Sequence, residues 1–206
     1  MSTTAAPTTA PTASADGRLA RRDRNRVAAL DAIVELFSEG DLDPSPEQVA
    51  KRTGISPRSV YRYFDDREAL LRSAIDHQMA KVLPHYHFPR IGEGSLTDRV
   101  PAFAAHRVQL HETIGATARA TRRRAAIDDI VRDQLELTRR ALREQIEKQF
   151  APELDAMPAA TRRARVAALD ALCELEALDH YRVHRGYSTT ETEAMLADAV
   201  AALLTT

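Results

Sequence analysis

The stretch from residue 46 to residue 65 contains signals for two short helices with a very short connection between them. Ser45 is placed to cap the first helix, with Gln48 in capping-box register. The first helix should end at Gly54 after two turns, and Ser56 should begin the second helix at once. Two short helices joined by such a tight turn must cross each other closely, which requires a small residue at the crossing and apolar residues beside it.

The residues at the predicted crossing meet this requirement. Ala50, Gly54 and Val60 occupy the fifth, ninth and fifteenth places of a twenty-residue frame that begins at Pro46. This spacing is typical of a helix-turn-helix, whose second helix enters the major groove of DNA. Val60 and Phe64 are four residues apart, so we expect both to face inward and the opposite face of the second helix to be exposed.

The rest of the chain also has a helical pattern. Apolar residues recur at intervals of three and four, and no alternating apolar run or hairpin signal is found. The fold class is therefore predicted to be all-α, with about nine helices in total. Outside the helix-turn-helix we expect helices near residues 19–39, 66–83, 97–114, 117–125, 128–150, 160–185 and 189–204, and loops at 84–95 and 151–158.

Three regions follow from this pattern. Residues 1–17 form a Thr/Ala/Pro tail that is too poor in apolar residues to order itself and is predicted to be disordered. Residues 18–83 form a first unit, a three-helix DNA-binding domain with the helix-turn-helix, followed by the helix predicted at 66–83. Residues 84–206 form a larger helical unit, which begins at a loop containing two prolines and two glycines.

Composition excludes several classes of protein. No stretch of 18 uninterrupted apolar residues is present, so we expect no membrane span and a cytoplasmic protein. The single cysteine, Cys173, cannot form an internal disulfide. His180 and His184 have the spacing of two metal ligands, but no third ligand joins them, so neither a metal nor a cofactor is predicted. No catalytic motif is recognisable, and an enzyme is not predicted.

Several short segments in the first third of the chain together form a recognisable pattern. They are Leu30–Phe37 with Gly40, Val49–Ala50, Thr53–Ser56, Val60–Phe64 and Arg67–Leu71. With these segments the chain resembles the TetR family of bacterial transcriptional regulators, over about residues 24 to 72. One departure is Arg67, where the family most often has lysine; both side chains can contact a phosphate.

The exposed face of the second helix is the candidate DNA-reading surface. Its first turn should lie deepest in the groove, which favours Arg58 and Ser59 as base readers, and arginine suits guanine O6 and N7. Arg62 lies on the same face. The resemblance implies that Tyr61, Tyr63 and Arg67 hold phosphates. Ser45 and Thr53, at or near helix ends, are candidates for further contacts with the DNA backbone.

Five arginines lie between residues 18 and 26. Two interpretations are open for this segment. It can be a flexible arm that enters the minor groove, or the start of the first helix, whose charges raise non-specific affinity for DNA. Asp16 and Asp23 interrupt the basic run and favour the helix start slightly.

The resemblance implies that residues 84–206 bind an effector and form a dimer. The expected partners are a near-palindromic double-stranded DNA operator, a second copy of the chain and a small-molecule effector that releases a repressor. A constitutive DNA binder without a ligand and a helical enzyme or scaffold that has lost DNA binding are the alternatives. The candidate effector-binding residues are Phe103, His106, Leu110, Leu135, Leu142 and Cys173, and the candidate dimer contacts are Leu169, Leu172, Tyr181, Leu196, Val200 and Leu203.

Overall fold

The computed structural model describes residues 13–41 and 43–205, without the side chains of residues 13–16 and 67. Within these residues it contains helices and no strand, which confirms the all-α prediction. The helices are α1 (Ala13–Glu39), α2 (Pro46–Thr53), α3 (Pro57–Tyr63), α4 (Arg67–Tyr86), α5 (Leu96–Ala125), α6 (Asp129–Gln149), α7 (Ala151–Asp155), α8 (Ala159–Cys173), α9 (Leu175–Asp179), a π-helical segment (His180–His184) and α10 (Thr189–Leu204).

The first four helices share one apolar core. The inner face of α1 is buried at intervals of three and four residues, and α2, α3 and α4 pack against it. Arg52 of α2 fixes α2 to the end of α1 because its two terminal nitrogens each donate a hydrogen bond of 2.7 Å to the Glu39 carboxylate. The core residues are Ala29, Leu30, Ala32, Ile33, Leu36, Val49, Ala50, Val60, Phe64 and Ala74.

The remaining helices enclose a second core around α5. This helix packs against α6, α9 and α10 within its own unit and against α1 and α4 of the first unit. At the centre of the core, the rings of Phe103 and Phe150 meet edge to face with centroids 5.1 Å apart. The aliphatic members from the last helices include Val166, Leu169, Leu178, Leu196 and Val200.

A smaller apolar cluster joins the two units. Leu71 of α4 packs with Ala125 and Val131 at the junction of α5 and α6. Arg124 lies beside this cluster, with its guanidinium carbon 5.9 Å from the centroid of the Phe37 ring. The α1–α4 unit is therefore held directly against α5 and α6.

The predicted start of α1 and the predicted end of α4 were wrong. Helix α1 begins at Ala13, so residues 13–17 of the predicted tail are helical, and residues 1–12 lie outside the described part of the chain. Helix α4 continues through Pro84 to Tyr86, and the His87 N–H closes its last turn on the Pro84 carbonyl at 3.3 Å. The predicted domain boundary between residues 83 and 84 therefore falls inside α4.

Three later predictions were also wrong in detail. The helices predicted at 97–114 and 117–125 are the single helix α5, in which Gly115 is buried. The predicted loop at 151–158 contains the short helix α7. The helix predicted at 160–185 is broken at Glu174, where an extended backbone directs the carboxylate to Arg122 of α5 at 3.0 Å.

None of the helices in the described residues is long and apolar enough to cross a membrane.

Candidate nucleic-acid interface and ligand cavity

Local capping fixes the angle between α2 and α3. Ser45 and Gln48 form the predicted capping box at the start of α2. Gly54 ends that helix in a left-handed conformation, with φ of 71°, and its N–H donates to the Ala50 carbonyl at 2.9 Å. Ser56 then caps α3 by accepting a hydrogen bond from the Ser59 N–H at 3.3 Å. The sequence between residues 45 and 59 therefore sets the crossing geometry locally.

Helix α3 has one buried side and one exposed side, as predicted. Val60 is 1 % exposed and Phe64 is 7 % exposed, so both belong to the core. Tyr61 is 60 % exposed, although an aromatic ring of that size is usually covered at least in part. Arg58 and Arg62 are exposed beside it. The outer face of α3 thus presents two guanidinium groups and a phenol.

The hydroxyl groups near this face differ in whether their hydrogen is free to donate to a phosphate. Ser59 accepts a hydrogen bond from Ser56 at 3.0 Å, which leaves the hydrogen of its own hydroxyl group free to donate. Tyr61 donates to a carboxylate oxygen of Glu47 at 3.4 Å, a long contact that DNA can replace. Thr53 donates to the Val49 carbonyl at 2.8 Å, so the expected hydroxyl contact from Thr53 does not fit this conformation.

The remaining predicted DNA contacts lie at the ends of three helices: Ser45 caps α2, Tyr63 ends α3 and Arg67 begins α4. The hydroxyl oxygen of Ser45 accepts a hydrogen bond from the N–H of Gln48 at 3.2 Å, so its hydrogen is still free to donate. Tyr63 is half-buried, and the Arg62 guanidinium carbon lies 5.8 Å from its ring centroid. Arg67 is the first residue of α4, and its side chain lies outside the described part of the structure.

The basic segment between residues 18 and 26 is part of helix α1, as in the helix-start interpretation. Arg21, Arg22 and Arg24 are exposed along this helix. Arg26 is tied to the first core, because its guanidinium carbon lies 5.3 Å from the centroid of the Phe64 ring and it donates to Ser73 at 3.2 Å. The flexible-arm interpretation does not describe this conformation.

The helix-turn-helix with its exposed basic face coincides with a known family. Residues 29–74 match the family model of the bacterial regulatory proteins of the tetR family. Residues 29–74 therefore form a DNA-binding domain of the TetR family. The match agrees with the resemblance predicted over residues 24 to 72, and it identifies a protein that binds DNA and regulates transcription. A comparison with curated proteins found no match.

Four of the six candidate effector residues of this regulator come together around one cavity. It has a volume of about 70 Å³ and lies between α5, α6, α8 and α9, with the end of α4 at its edge. Tyr86, the last residue of α4, lines it. The four candidates in its wall are Leu110, Leu135, Leu142 and Cys173.

The other two candidates do not line this cavity. Phe103 is 1 % exposed and fills the second core, where Phe88 and Phe150 pack against its ring. His106 lines a separate open groove of about 780 Å³ formed by α5 and the segment that follows α4. Its Nε2 lies 3.1 Å from the His87 carbonyl oxygen, and burial, together with the nearby Arg107 charge, lowers its pKa.

The cavity also contains charged residues that the sequence analysis missed. Arg122 pairs with Glu174 at 3.0 Å and with Glu176 at 2.7 Å. Arg107 is only 2 % exposed, and burial lowers the pKa of its guanidinium despite the nearby Cys173 and Asp170. Arg107 is four residues after Phe103 and three before Leu110, so helical periodicity already places it on the face that was proposed to bind an effector.

The predicted histidine pair is joined by no third metal ligand among the residues that the structure describes. His180 and His184 lie in the π-helical segment with ring centroids 6.4 Å apart. In the described part of the chain, no group of three or more His, Cys, Asp or Glu side chains is arranged to hold a metal ion.

The predicted dimer contacts need correction because half of them are inside one protomer. Leu169, Leu196 and Val200 are between 0 and 4 % exposed and belong to the second core. Leu172 and Leu203 are half-buried against the same core. The apolar stripe of α10 therefore packs on α5 and α8, and that of α8 packs on α6, α9 and α10, since the inward face of an amphipathic helix is covered first by its own chain.

Proposed function

We propose that this regulator is a repressor that binds a near-palindromic operator as a homodimer and leaves it when a small molecule occupies the cavity. The observation that carries the DNA part is the outer face of α3, where Arg58, Tyr61 and Arg62 are exposed while Val60 and Phe64 are buried. Exposed arginines on a recognition helix are suited to hydrogen bonding with guanine, and the tyrosine is suited to phosphate.

A dimer is proposed because one helix-turn-helix reads few base pairs. With the apolar stripes in the core, the outer faces of α8 and α10 are the surface for a second copy. These faces carry small side chains, which allow helices to approach closely. Met195, which is 37 % exposed, is the largest apolar residue among them. The exposed residues of this surface include Ala160, Arg163, Ala164, Ala167 and Ala171 on α8 and Glu191, Ala194, Met195, Asp198 and Ala202 on α10.

The cavity is connected to the DNA-binding unit by α4. Tyr86 at the end of α4 lines the cavity, while Leu71 near its start packs at the junction with α5 and α6. A ligand that displaces the end of α4 would shift the helix-turn-helix relative to the second unit. In a two-fold dimer, such a shift changes the distance between the two recognition helices and favours the state that does not bind DNA.

Selection of bound DNA from a random pool tests this function. We expect a consensus with two-fold symmetry whose half-sites are separated by about one or more turns of the double helix. Affinity should fall steeply with salt, because phosphate contacts release counterions. A pool without any enriched sequence would contradict a sequence-specific regulator. Enrichment of a single, asymmetric half-site would contradict the dimer.

The dimer surface has its own test in solution. Ala167→Glu together with Ala202→Glu places carboxylates on the proposed surface without touching the core, and buried unpaired charges are strongly unfavourable. Light scattering should show a dimer for the wild type and a monomer for this variant. Ala141→Glu, on an exposed position of α6, is the matched control and should remain dimeric. A wild-type mass near the single-chain 22.8 kDa would contradict the proposal.

The regulator is proposed to act by binding rather than by catalysis. Its proposed location is the cytoplasm, where it has access to the DNA. A thermal-shift screen that found no stabilising small molecule, together with specific DNA binding, would favour a constitutive regulator instead.

A further inference from the structure

The buried side of α5 places a guanidinium group at the cavity with part of its hydrogen-bonding capacity unused. The Nη2 of Arg107 donates to the Leu142 carbonyl at 2.9 Å, and its guanidinium carbon lies 4.7 Å from the centroid of the Phe103 ring. Its Nε and Nη1 are buried and have no hydrogen-bond partner in the described structure. Buried donors are nearly always satisfied, so the two free ones indicate a missing partner.

The charges around the cavity indicate the sign of that partner. Arg122 and Arg139 are matched by Glu174 and Glu176, which lie within ion-pair distance of both. Arg107 has no such carboxylate among the described residues. A buried cation is normally paired, because its transfer out of water is costly. The partner that satisfies Arg107 should therefore be an anion.

Two carboxylates line the cavity, Glu174 and Asp170, and Asp170 has no hydrogen bond or ion pair of its own in the described structure. Burial raises its pKa, an effect that the charges of Arg143 and Arg107 only partly offset. Its negative charge interacts with Arg107 and opposes the binding of an anionic ligand. Replacing it with asparagine should therefore strengthen anion binding rather than weaken it.

The other walls of the cavity are apolar. Leu110, Leu135 and Leu142 line it beside Arg107, so a ligand that satisfies the guanidinium must also carry a hydrocarbon part. The volume of about 70 Å³ exceeds that of a single water site several times over and suits a carboxylate with a few carbon atoms. A carboxylate oxygen can accept a hydrogen bond on either edge of a guanidinium, and such a charge-assisted bond is stronger than one to a neutral acceptor.

We propose that the effector is a small organic acid whose carboxylate accepts a hydrogen bond from one of the free donors of Arg107, Nε or Nη1, with its hydrocarbon part against the leucines of the cavity. This proposal deepens the proposed function, since it rests on the cavity being the effector site. In this proposal, Arg107 is the residue that makes the cavity prefer a negatively charged ligand.

Calorimetric titration of the full-length protein tests the charge preference without DNA. The probes are acetate, butyrate and hexanoate, with butyramide and hexanamide as uncharged counterparts of similar shape. We expect butyrate and hexanoate to bind and the amides to bind at least about 10-fold more weakly, as for a lost hydrogen bond to a charged group. Affinity should rise about 3- to 4-fold for each methylene group that the cavity can cover. Equal binding of acids and amides, or no binding of any acid, would overturn the proposal.

Three variants locate the site. Arg107→Gln should reduce butyrate affinity about 10-fold or more, and Asp170→Asn should increase it. Arg140→Gln, at an exposed position of α6 outside the cavity, is the control and should leave affinity unchanged. If Arg107 is only a structural residue, Arg107→Gln will lower the melting temperature and leave butyrate affinity unchanged, which overturns the assignment. If Arg107→Gln does not fold, two other measurements still test the proposal: the ratio of acid to amide affinity in the wild type and the increase in butyrate affinity in Asp170→Asn.

Operator binding distinguishes this inference from the proposed function on which it rests. If butyrate binds through Arg107 but leaves operator affinity unchanged, effector-controlled release fails and the carboxylate site stands. If the operator is bound specifically but no acid binds, the carboxylate site fails and the DNA-binding function stands.

Discussion

The Nε2 of His77 on α4 lies 2.6 Å from a carboxylate oxygen of Asp31 on α1. Lys81, one turn further along α4, contacts the same oxygen. Asp31 therefore joins α4 to α1 at two successive positions. Since α4 is also the helix that reaches the ligand cavity, this contact holds the connecting helix against the DNA-binding unit.

Stability should depend on the charge of Asp31 in acid. Burial opposes ionisation of Asp31, but the hydrogen bonds and charges of Lys81 and His77 outweigh it and lower its pKa. A lowered carboxyl pKa stabilises the folded state above the unfolded value of about 3.9, and this contribution is lost as the pH falls through the folded value. Asp31→Asn should reduce the urea midpoint at pH 7, and the difference from wild type should shrink below about pH 4. Exposed Asp76→Asn serves as the control; an equal loss there would contradict the role of Asp31.

Arg58 should determine sequence preference rather than general affinity. Arg58→Ala is expected to relax the consensus at one base position in each half-site and to cost about 1–3 kcal/mol on the preferred sequence. Sequencing of the selected DNA pool measures the first effect, and titration of the consensus measures the second. Uniform weakening on all sequences would reassign Arg58 to a phosphate.

Tyr61 is expected to show the complementary behaviour. Tyr61→Phe removes the hydroxyl group that now reaches Glu47 at 3.4 Å but keeps the exposed ring. Binding to every sequence should weaken by a similar factor, because a phosphate contact carries no base information. The selected consensus should remain that of the wild type, and a changed consensus would show that Tyr61 reads a base.

The turn between α2 and α3 should be sensitive to a single methyl group. Gly54 has a φ of 71°, and a Cβ there would meet no atom within 4 Å, so the cost of Gly54→Ala is conformational. We expect a loss of about 1 kcal/mol in the free energy of unfolding, measured with urea.

Gly17→Ala provides the matched substitution inside helix α1, where a Cβ also meets nothing within 4 Å but the backbone is helical. That change should be neutral or add up to about 1 kcal/mol of stability. Similar changes in the free energy of unfolding for the two substitutions would show that the left-handed backbone at Gly54 does not require glycine.

Cys173 should react slowly in the folded protein. Burial raises the pKa of its thiol to about 12, whereas an unfolded cysteine ionises near its ordinary value. At pH 8, alkylation by iodoacetamide should be roughly 1,000-fold slower in the native state than in urea, because the thiolate is the reactive form. Mass spectrometry of timed samples measures both rates. Comparable rates in the native state and in urea would show that the Cys173 thiol is not buried in the folded protein.

Local sequence was sufficient to predict the helix-turn-helix. Ser45, Gly54 and Ser56 act through hydrogen bonds and backbone angles within a few residues, so their effects can be read without the rest of the chain. Val60 and Phe64 were assigned correctly because a helix of two turns has one inward face, whatever its neighbours are. The all-α class followed in the same way from intervals of three and four residues.

Tertiary structure decided which apolar faces are cores and which are surfaces. Leu196 and Val200 have the pattern of an interface helix, yet α5 covers them within one protomer. Helical periodicity gives the direction of a side chain and not the identity of what covers it. The same holds for Arg107: periodicity places it on the inner face of α5, but only the residues of α6, α8 and α9 around it enclose its charge beside a cavity. A charge becomes a binding determinant only when distant helices exclude water from it, and that exclusion is a property of the folded chain.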